Sequence, residues 1–348
     1  MASGAALKQF LEDHRIHGAD RRPASITGQT GGKYFISDED YPEFLDLTHK
    51  YIFVEKGRPM NMIEQPSPTG PKPLVIDLDF RYRKDRALDH PFETTHIKAF
   101  VEKLTEGLNT FFNLEPYESL RFFVCLRPQA YESKGEIKDG IHIECPDLVL
   151  SFDKQAVLRR WMLGQDAIQD AFKDTGFTNP VVDIYDESCT RKQGWFLYGE
   201  SKPNIPAYYL KTVLVYSPAT DGWQVEPPVN YSDRELLELL SIRYNLSVDD
   251  NEVKEDVKPL YERLTNAHQA QPSQELSVPS DATQNVLVHE AMQDVRIPDT
   301  TYEDIELVKR FVKECLSVER ATGYDTWKRV GWCLHTIAPT EEMFNLWM

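Results

Sequence analysis

The sequence predicts an α+β fold in which helices cover a mixed β-sheet. One observation is a set of short runs rich in β-branched and aromatic residues, which is typical of strands. Another is a set of longer stretches with helical apolar spacing, and helices and strands alternate too irregularly for a regular doubly wound fold. The predicted strands are Tyr51–Glu55, Leu74–Phe80, Arg121–Arg127, Gly140–Glu144 and Val181–Tyr185.

Helical periodicity is clearest in three segments. Apolar residues recur every three or four positions in 95–112 and in 153–172, as they do on the buried face of an amphipathic helix. A third helix is predicted over 232–244, where Ser232 is a typical N-cap residue. The first two helices lie between predicted strands, so we expect them to cover the sheet.

Composition divides the chain into three parts. Residues 1–245 carry most of the strand and helix patterns and are predicted to form one α+β domain. Residues 246–299 are acidic and then rich in Gln, Ser and Pro, and such a segment buries too little apolar surface to offset the entropy of ordering. We predict a partly disordered linker there. Apolar periodicity returns in 300–348, where we predict the start of a helical domain; because the sequence ends on an uncapped helical pattern, we expect this domain to continue in a longer protein.

Charge and cysteine content exclude several classes of protein. The net charge of −17 argues against a protein that coats nucleic acid by charge alone, but it permits an enzyme that grips a few nucleotides in a local basic groove. The five cysteines are scattered without a CxxC pair, which favours reduced thiols in an intracellular protein. No run approaches the roughly 18 apolar residues of a membrane span, and the N-terminus lacks a secretory signal, so no membrane partner is expected.

The first candidate site is an acidic alternation on the strand Leu74–Phe80. Alternate strand residues point to the same face, so Asp77 and Asp79 project together while their neighbours point into the core. Two adjacent carboxylates repel each other unless a cation lies between them, and hard divalent ions such as Mg²⁺ prefer oxygen ligands. The alternative is a solvated strand face, because short acidic alternations also arise by chance.

The second candidate site is His142. Its strand turns Ile141 and Ile143 to one face and His142 to the other, and Gly140 leaves room there for a ligand. We interpret His142 as a hydrogen-bonding partner of a nucleoside triphosphate, with Lys138 adding positive charge. The alternative is a histidine with a purely structural role.

The third candidate site lies in 181–203. Asp183 and Asp186 are further potential metal ligands there. They are followed by a Gly-Glu-Ser-Lys turn that contains Ser201 and ends in Lys202, and a lysine after such a turn commonly binds phosphate. A surface loop without function is the alternative for this turn.

These three sites together resemble the motifs of the archaeo-eukaryotic primase superfamily. The acidic pair matches Asp77 and Asp79, and the small-x-His motif matches Gly140 to His142, although many members carry serine at the glycine position. The spacing to the Tyr-x-x-Ser-Lys element matches Asp186 to the late acid of the family, with Asp183 as the fallback.

One branch of that superfamily is the most similar. The segments 33–57 and 194–203 resemble the primase–helicases of large DNA viruses of eukaryotes, the poxvirus-type branch, and 324–335 resembles the small helical domain between primase and helicase. Primase–polymerases of animals carry arginines before the Ser-Lys element. Because this chain has Phe196 and Leu197 near those places, the resemblance leaves Arg191 and Lys192 as substitutes.

The resemblance implies a fold and a reaction. The fold would be a two-part primase core whose catalytic sheet is like that of RNA-recognition domains. The reaction would be template-directed primer synthesis on single-stranded DNA from nucleoside triphosphates, with two Mg²⁺ or Mn²⁺ ions. The implied catalytic and metal-binding residues are Asp77, Asp79 and Asp186. The implied nucleotide-binding residues are His142, Lys138, Lys202, Ser201 and Arg191.

The resemblance also implies a setting for that reaction. We expect a C-terminal helicase beyond this chain, hexameric in the full-length protein, and an intracellular location in a viral replication compartment. The glycine-rich Gly28–Tyr34 is one residue short of an ATPase phosphate loop and has Tyr34 where the Mg²⁺-binding hydroxyl should stand. We reject it as an ATPase site and expect any helicase activity to lie beyond Met348.

Two other functions remain as alternatives. A rolling-circle nicking endonuclease needs a His-x-His metal pair and a nucleophilic tyrosine, whereas His142 is the only histidine of its motif. A catalytically silent adaptor would bind single strands with stacked aromatic residues in a basic groove and feed a helicase. The aromatic content of 11% permits an adaptor, but the acidic balance does not favour one.

Overall fold

The computed structural model is an α+β fold, which confirms the predicted fold class. It describes residues 3–18, 20–28, 31–67, 70–191, 193–246 and 251–269, with three isolated positions beyond them. The strands are β1 (Ile26–Thr27), β2 (Lys33–Tyr34), β3 (Ile63–Glu64), β4 (Lys72–Tyr82), β5 (Leu120–Leu126), β6 (Tyr131–Ser133), β7 (Glu136–Leu150), β8 (Trp195–Phe196), β9 (Tyr209–Ser217) and β10 (Gly222–Glu226). The helices are α1 (Ser3–Asp13), α2 (Tyr41–His49), α3 (Thr94–Phe111), α4 (Phe152–Gly164), α5 (Ala167–Phe172), α6 (Val181–Ile184), α7 (Asp233–Leu239) and α8 (Lys258–Gln269).

The larger of two sheets has six strands. Five of them follow the order β10-β9-β5-β7-β4, and β6 pairs with the first part of β7. Each strand pair that the structure describes is antiparallel, so the prediction of a mixed sheet is wrong. The reason is that β7 lies between β4 and β5 and runs opposite to both, although β4 and β5 are joined by a helical crossover through α3.

The two faces of this sheet are covered by different layers. Helices α3, α4 and α5 pack on one face through a core that includes Phe100, Leu104 and Phe172, all fully buried. The other face packs against a second core, which joins Phe123 and Val213 of the sheet to α1, α2 and α7. A small sheet of order β2-β1-β3-β8 belongs to this second layer. The sheet is therefore buried on both faces, as its apolar strands require.

Two predicted strands are helical instead. Residues Lys50–Val54 continue α2 as a π-helical turn that buries Ile52 and Phe53, so tertiary packing overrides the β-propensity of Tyr51–Glu55. The predicted strand Val181–Tyr185 forms the short helix α6. Both predictions are wrong because short apolar runs do not distinguish a strand from a buried helical turn.

The first compact unit extends beyond the predicted domain boundary. It comprises Met1–Thr265, and α8 packs on the helical core through Leu260 and Leu264. The backbone N–H of Lys254 donates to the carbonyl of Phe111, so the beginning of the predicted linker is part of this unit. The rest of the predicted linker and the predicted helical domain lie outside the described residues, apart from three single positions. Within the described residues, no helix is both long and apolar enough to cross a membrane.

Candidate metal centre and nucleotide site

Three carboxylates converge on the face of β4 that looks toward the second core. Asp77 and Asp79 share this face because they are two residues apart on a regular strand. Asp186 comes from a turn after α6, and its backbone N–H donates to the Asp77 carbonyl at 2.9 Å. One carboxylate oxygen of each residue lies within 4.8 Å of the other two. These three acids therefore have the spacing of a metal site.

The turn that carries Asp186 is fixed beside β4 by several polar contacts. Tyr185 forms an isolated antiparallel bridge with Leu78. The Arg159 guanidinium donates to the Tyr185 carbonyl at 2.7 Å, and Ser188 donates its backbone N–H and hydroxyl to Asp186 at 2.8 and 2.7 Å. This local order presents Asp186 to the strand, whereas the exposed Asp183 of α6 lies outside the three-acid group.

A buried lysine, Lys72, holds the same turn through a hydrogen bond. Lys72 is 1% exposed, and its Nζ donates to the backbone carbonyl of Cys189 at 2.6 Å. Burial lowers the pKa of Lys72 to about 8. The contact ties the first residue of β4 to the segment that follows Asp186, so it is a structural link between two ends of the candidate site.

The three acids repel one another in the absence of a cation. Loss of hydration at the site, followed by the charge of Asp77, raises the pKa of Asp79 to about 6, and Asp186 acts in the same direction. Asp79 nevertheless remains accessible to solvent, so a ligand can reach it. Crowded carboxylates with one accessible member fit a divalent cation, which would remove their repulsion.

Asp77 adds a second reason why a cation fits. Its Oδ1 is buried and makes no hydrogen bond, and Nε2 of His142 lies 3.5 Å from it. Burial acts to raise the pKa of Asp77, but His142, together with Arg127 and Lys202, outweighs this effect and the pKa is lowered. A buried carboxylate oxygen without a donor is costly, and a metal ion would satisfy it.

His142 lies directly opposite Asp77 in the β4–β7 pair. Its ring is 7% exposed and stacks on Tyr208, with ring centres 3.6 Å apart, and it contacts Trp195 at 4.4 Å. Burial is the main cause that lowers the pKa of His142, so the imidazole is neutral near pH 7. It therefore offers one N–H donor in a fixed orientation.

Gly140 is required by the close approach of its neighbours. A Cβ at this position would lie 2.4 Å from the Tyr208 hydroxyl and 3.1 Å from the Leu78 carbonyl oxygen. Real Cβ atoms do not tolerate the shorter distance, so the tyrosine and a side chain at position 140 exclude each other. A serine here, as in the motif that the sequence resembles, would require the Tyr208 side chain to shift.

The structure brings two of the predicted lysines to the acids. Lys138 lies two residues from Gly140 on the same face of β7 and lowers the pKa of Asp79. Lys202 is close enough to contribute to the lowered pKa of both Asp77 and His142. Both lysines therefore lie near the three acids.

The other predicted nucleotide-binding residues are arranged differently. Ser201 is buried beside Lys202, after a turn in which Gly199 has a φ of +81°. Arg191 is exposed and forms an ion pair with Glu187 at 2.8 Å. Both residues lie close enough to Arg160 of α4 to affect its pKa. Lys192, the other substitute cation, lies outside the described residues.

Sequence reasoning missed three residues at the site. Arg127 follows β5 directly, and its charge reaches Asp77, Asp79 and His142. Its position two residues after Cys125, on the face of the second core, was a signal that could have found it. Tyr208 and Trp195 carried no such signal, because an aromatic residue in a loop or a two-residue strand has no recognisable pattern.

Residues 24–214, more than half of the chain, match the family model described as the C962R protein N-terminal AEP domain, where AEP denotes archaeo-eukaryotic primase. The chain belongs to this family. The match covers the three acids, His142 and the Ser-Lys turn, and it confirms the resemblance to archaeo-eukaryotic primases.

A curated relative of this archaeo-eukaryotic primase domain comes from a giant virus. The chain is 27% identical over 347 residues to the protein of Acanthamoeba polyphaga mimivirus named "Putative helicase L207/L206". The alignment covers 95% of this chain and 35% of that relative, so the chain spans about a third of the relative's length. The family and this relative together support a primase-type role in replication.

Proposed function

We propose that this domain is a template-directed primase that joins nucleotides on single-stranded DNA. The observation that carries the proposal is the convergence of Asp77, Asp79 and Asp186 in a domain of the archaeo-eukaryotic primase family. The resulting reaction would link an incoming nucleoside triphosphate to a 3′-hydroxyl and release pyrophosphate.

The three acids would hold two divalent ions, Mg²⁺ or Mn²⁺. Bound ions of this kind activate the attacking hydroxyl and stabilise charge on the leaving group. Asp77 and Asp79 would provide ligands from a rigid strand, and Asp186 would complete the site from its turn. Strand-borne ligands are held in place before the substrate arrives, which lowers the cost of ordering the site.

The incoming nucleotide would lie over the face of β7. Neutral His142 would donate one hydrogen bond to the triphosphate, and Lys138 and Lys202 would neutralise its charge. Ser201 would support the position of Lys202. Arg191 would reach the triphosphate only after releasing Glu187, so it is the weakest member of the proposed set.

The partners of the domain are also proposals. A relative that carries the name helicase, and of which this chain spans only a part, supports an attached helicase that acts with the primase. We propose a hexameric helicase in the full-length protein and action inside an infected cell, in the viral replication compartment. Primers made by this domain would then start synthesis on strands that the helicase exposes.

Primer synthesis on single-stranded DNA tests the function directly. We expect the wild-type chain to form dinucleotides and short primers from nucleoside triphosphates with Mn²⁺. The double variant Asp77→Asn/Asp79→Asn should lose this activity by about a thousandfold or more. Asp183→Asn is the matched control, because it removes an exposed carboxylate outside the three-acid group.

The same assay separates the alternatives. Undiminished synthesis by the double variant would reject the metal site, and a wild-type chain that binds single strands without synthesis would favour the adaptor. A covalent 5′-phosphotyrosine adduct would favour the nicking endonuclease. Glu144 argues against the nicking endonuclease. It occupies the second position of the histidine pair that this enzyme requires, and it is buried beside Trp195 and Lys72.

A further inference from the structure

Arg127 holds its guanidinium over the face of the sheet that carries the acids. The central carbon of the guanidinium lies 3.7 Å from the ring centre of Tyr208 and 5.3 Å from that of Tyr131. A Cβ placed on Gly140 would lie 3.2 Å from Nη1 of Arg127. The charge is therefore confined between two aromatic rings, directly above the glycine of the candidate nucleotide site.

The hydrogen-bonding capacity of Arg127 is largely unused. Nη1 donates to the Tyr208 hydroxyl, whereas Nε is buried and makes no hydrogen bond. Within the described part of the chain Arg127 forms no ion pair, although its charge affects Asp77 and Asp79. A guanidinium has five N–H donors in a planar fork, and a buried donor without a partner, such as Nε here, is costly. The arrangement is that of a donor set prepared for an anion.

We propose that Arg127 binds phosphate oxygens of the incoming nucleoside triphosphate, and that Tyr208 positions Arg127 for this contact. The inference rests on the proposed function, since it assigns a further ligand of the same nucleotide. It differs from the role of a counter-ion for the acids, because a counter-ion would donate to Asp77 or Asp79 directly.

The charges around the site support a phosphate ligand. Three cations, Arg127, Lys138 and Lys202, surround the three acids and balance them. Two divalent ions would then leave a strongly positive site, and a triphosphate supplies the compensating negative charge. An arginine is well suited here because its planar fork binds two phosphate oxygens at once.

Tyr208 fixes the distance between two proposed phosphate ligands. Its ring lies between His142, at 3.6 Å between ring centres, and the guanidinium of Arg127, at 3.7 Å from its ring centre. The three side chains form one stack across the face of the sheet. The Tyr208 hydroxyl lies where a side chain at position 140 would be, so Gly140 permits the stack. Tyr208 is therefore a positioning residue rather than a catalytic one.

Direct binding of two ligands to the full chain tests the proposal. Isothermal titration calorimetry with Mg²⁺ would compare ATP with inorganic triphosphate, which lacks base and sugar. We expect Arg127→Met to weaken both ligands by about tenfold or more, because charge-assisted hydrogen bonds are lost. Arg263→Met is the matched control: Arg263 is exposed on α8, which packs on the helical core, and both affinities should stay unchanged.

Two further variants test the positioning role. Tyr208→Phe removes the hydroxyl alone and should weaken inorganic triphosphate severalfold, about threefold to tenfold. Gly140→Ala should also weaken it, because the new Cβ displaces the hydroxyl. The double variant Gly140→Ala/Tyr208→Phe should bind no more weakly than Gly140→Ala alone, since the hydroxyl that the new Cβ meets at 2.4 Å is already absent. Additive losses would overturn the positioning role.

The outcomes separate this inference from the proposed function. Equal triphosphate affinity of Arg127→Met and the wild type overturns the inference, and so does a loss confined to ATP, which would indicate a base or sugar contact. A wild-type chain that binds triphosphate through Arg127 but makes no primer supports the phosphate contact and rejects the primase proposal. If Arg127→Met does not fold, Arg127→Gln serves instead and should show the same loss for both ligands.

Discussion

Asp77 Oδ1 lies 3.5 Å from Nε2 of His142, directly across the β4–β7 pair, and this buried oxygen makes no hydrogen bond. The two side chains are held by adjacent strands, so their separation changes little when a ligand arrives. One offers a carboxylate oxygen for a metal, and the other is proposed to donate to a triphosphate. A metal held by Asp77 and a triphosphate held by His142 would therefore meet across a single pair of strands.

Asp79→Asn should greatly reduce stabilisation by Mn²⁺ without destabilising the metal-free protein. The substitution removes a carboxylate whose pKa is raised to about 6 by loss of hydration and by Asp77, so like-charge repulsion decreases. We expect Mn²⁺ to raise the melting temperature of the wild type by about 3 °C or more, and that of the variant by much less. Thermal unfolding with and without Mn²⁺ measures both. A full Mn²⁺ shift in Asp79→Asn would contradict the metal site.

Asp186→Asn and Asp183→Asn should behave differently. Each substitution replaces a carboxylate by an amide, and the two positions are three residues apart. Only Asp186 belongs to the three-acid group. We expect Asp186→Asn to lower Mn²⁺ affinity about tenfold or more, because an amide oxygen is a weaker ligand for a divalent ion. Asp183→Asn should be indistinguishable from the wild type. Calorimetric titration with Mn²⁺ compares them, and the reverse result would make Asp183 the third ligand.

Lys72→Met should weaken metal binding without a large loss of stability. The variant loses the Nζ contact to the Cys189 carbonyl at 2.6 Å, so the turn of Asp186 is held less firmly. Replacing a buried charge by an apolar side chain of similar length should change the free energy of unfolding by about 2 kcal/mol or less, of either sign. We expect Mn²⁺ affinity to fall about threefold to tenfold. Unchanged affinity together with normal folding would show that this link does not order the site.

Glu200 should make the protein less stable as the pH rises. Burial raises the pKa of Glu200 to about 8, although it accepts a hydrogen bond from the Met62 backbone N–H at 3.2 Å. An acid with a raised folded-state pKa binds more protons when folded, so its contribution is present at low pH and is lost as the pH rises toward 8. The loss should be on the order of 1–4 kcal/mol, and Glu200→Gln should remove it.

Urea unfolding between pH 5 and pH 9 measures the effect of Glu200. The difference in unfolding free energy between Glu200→Gln and the wild type should grow with pH. Glu252→Gln provides the control, because Glu252 is exposed. Parallel pH profiles for Glu200→Gln and the wild type would refute the prediction.

The fold class and part of the candidate site could be predicted from local sequence patterns. The helix α3 observed at Thr94–Phe111 agrees with the helical spacing of 95–112, since an eighteen-residue amphipathic pattern has only one good solution. The strand alternation that places Asp77 and Asp79 on one face needs no tertiary information. The family resemblance added the order of the motifs along the chain, and the family match confirms it.

Short patterns of four or five residues did not predict secondary structure correctly in two segments. The segments Tyr51–Glu55 and Val181–Tyr185 are apolar and β-branched, yet both are helical. Their surroundings decide the outcome: the first continues α2, and the second is a short helix beside Arg159, which donates to the carbonyls of Val182 and Tyr185. The antiparallel pairing of the larger sheet could not be predicted either, because the order of strands in the sequence does not reveal that β7 lies between β4 and β5.

The sequence by itself determined which residues of β4 and β7 share a face, because that follows from the two-residue period of a strand. Only the tertiary structure brought Asp186 beside Asp77 and left Asp183 outside, since a turn held by Arg159 and Ser188 sets that distance. The tertiary structure alone also assembled Arg127, Tyr208 and His142 into one stack. These three residues come from three separate segments, and side chains far apart in sequence meet only when the sheet has formed.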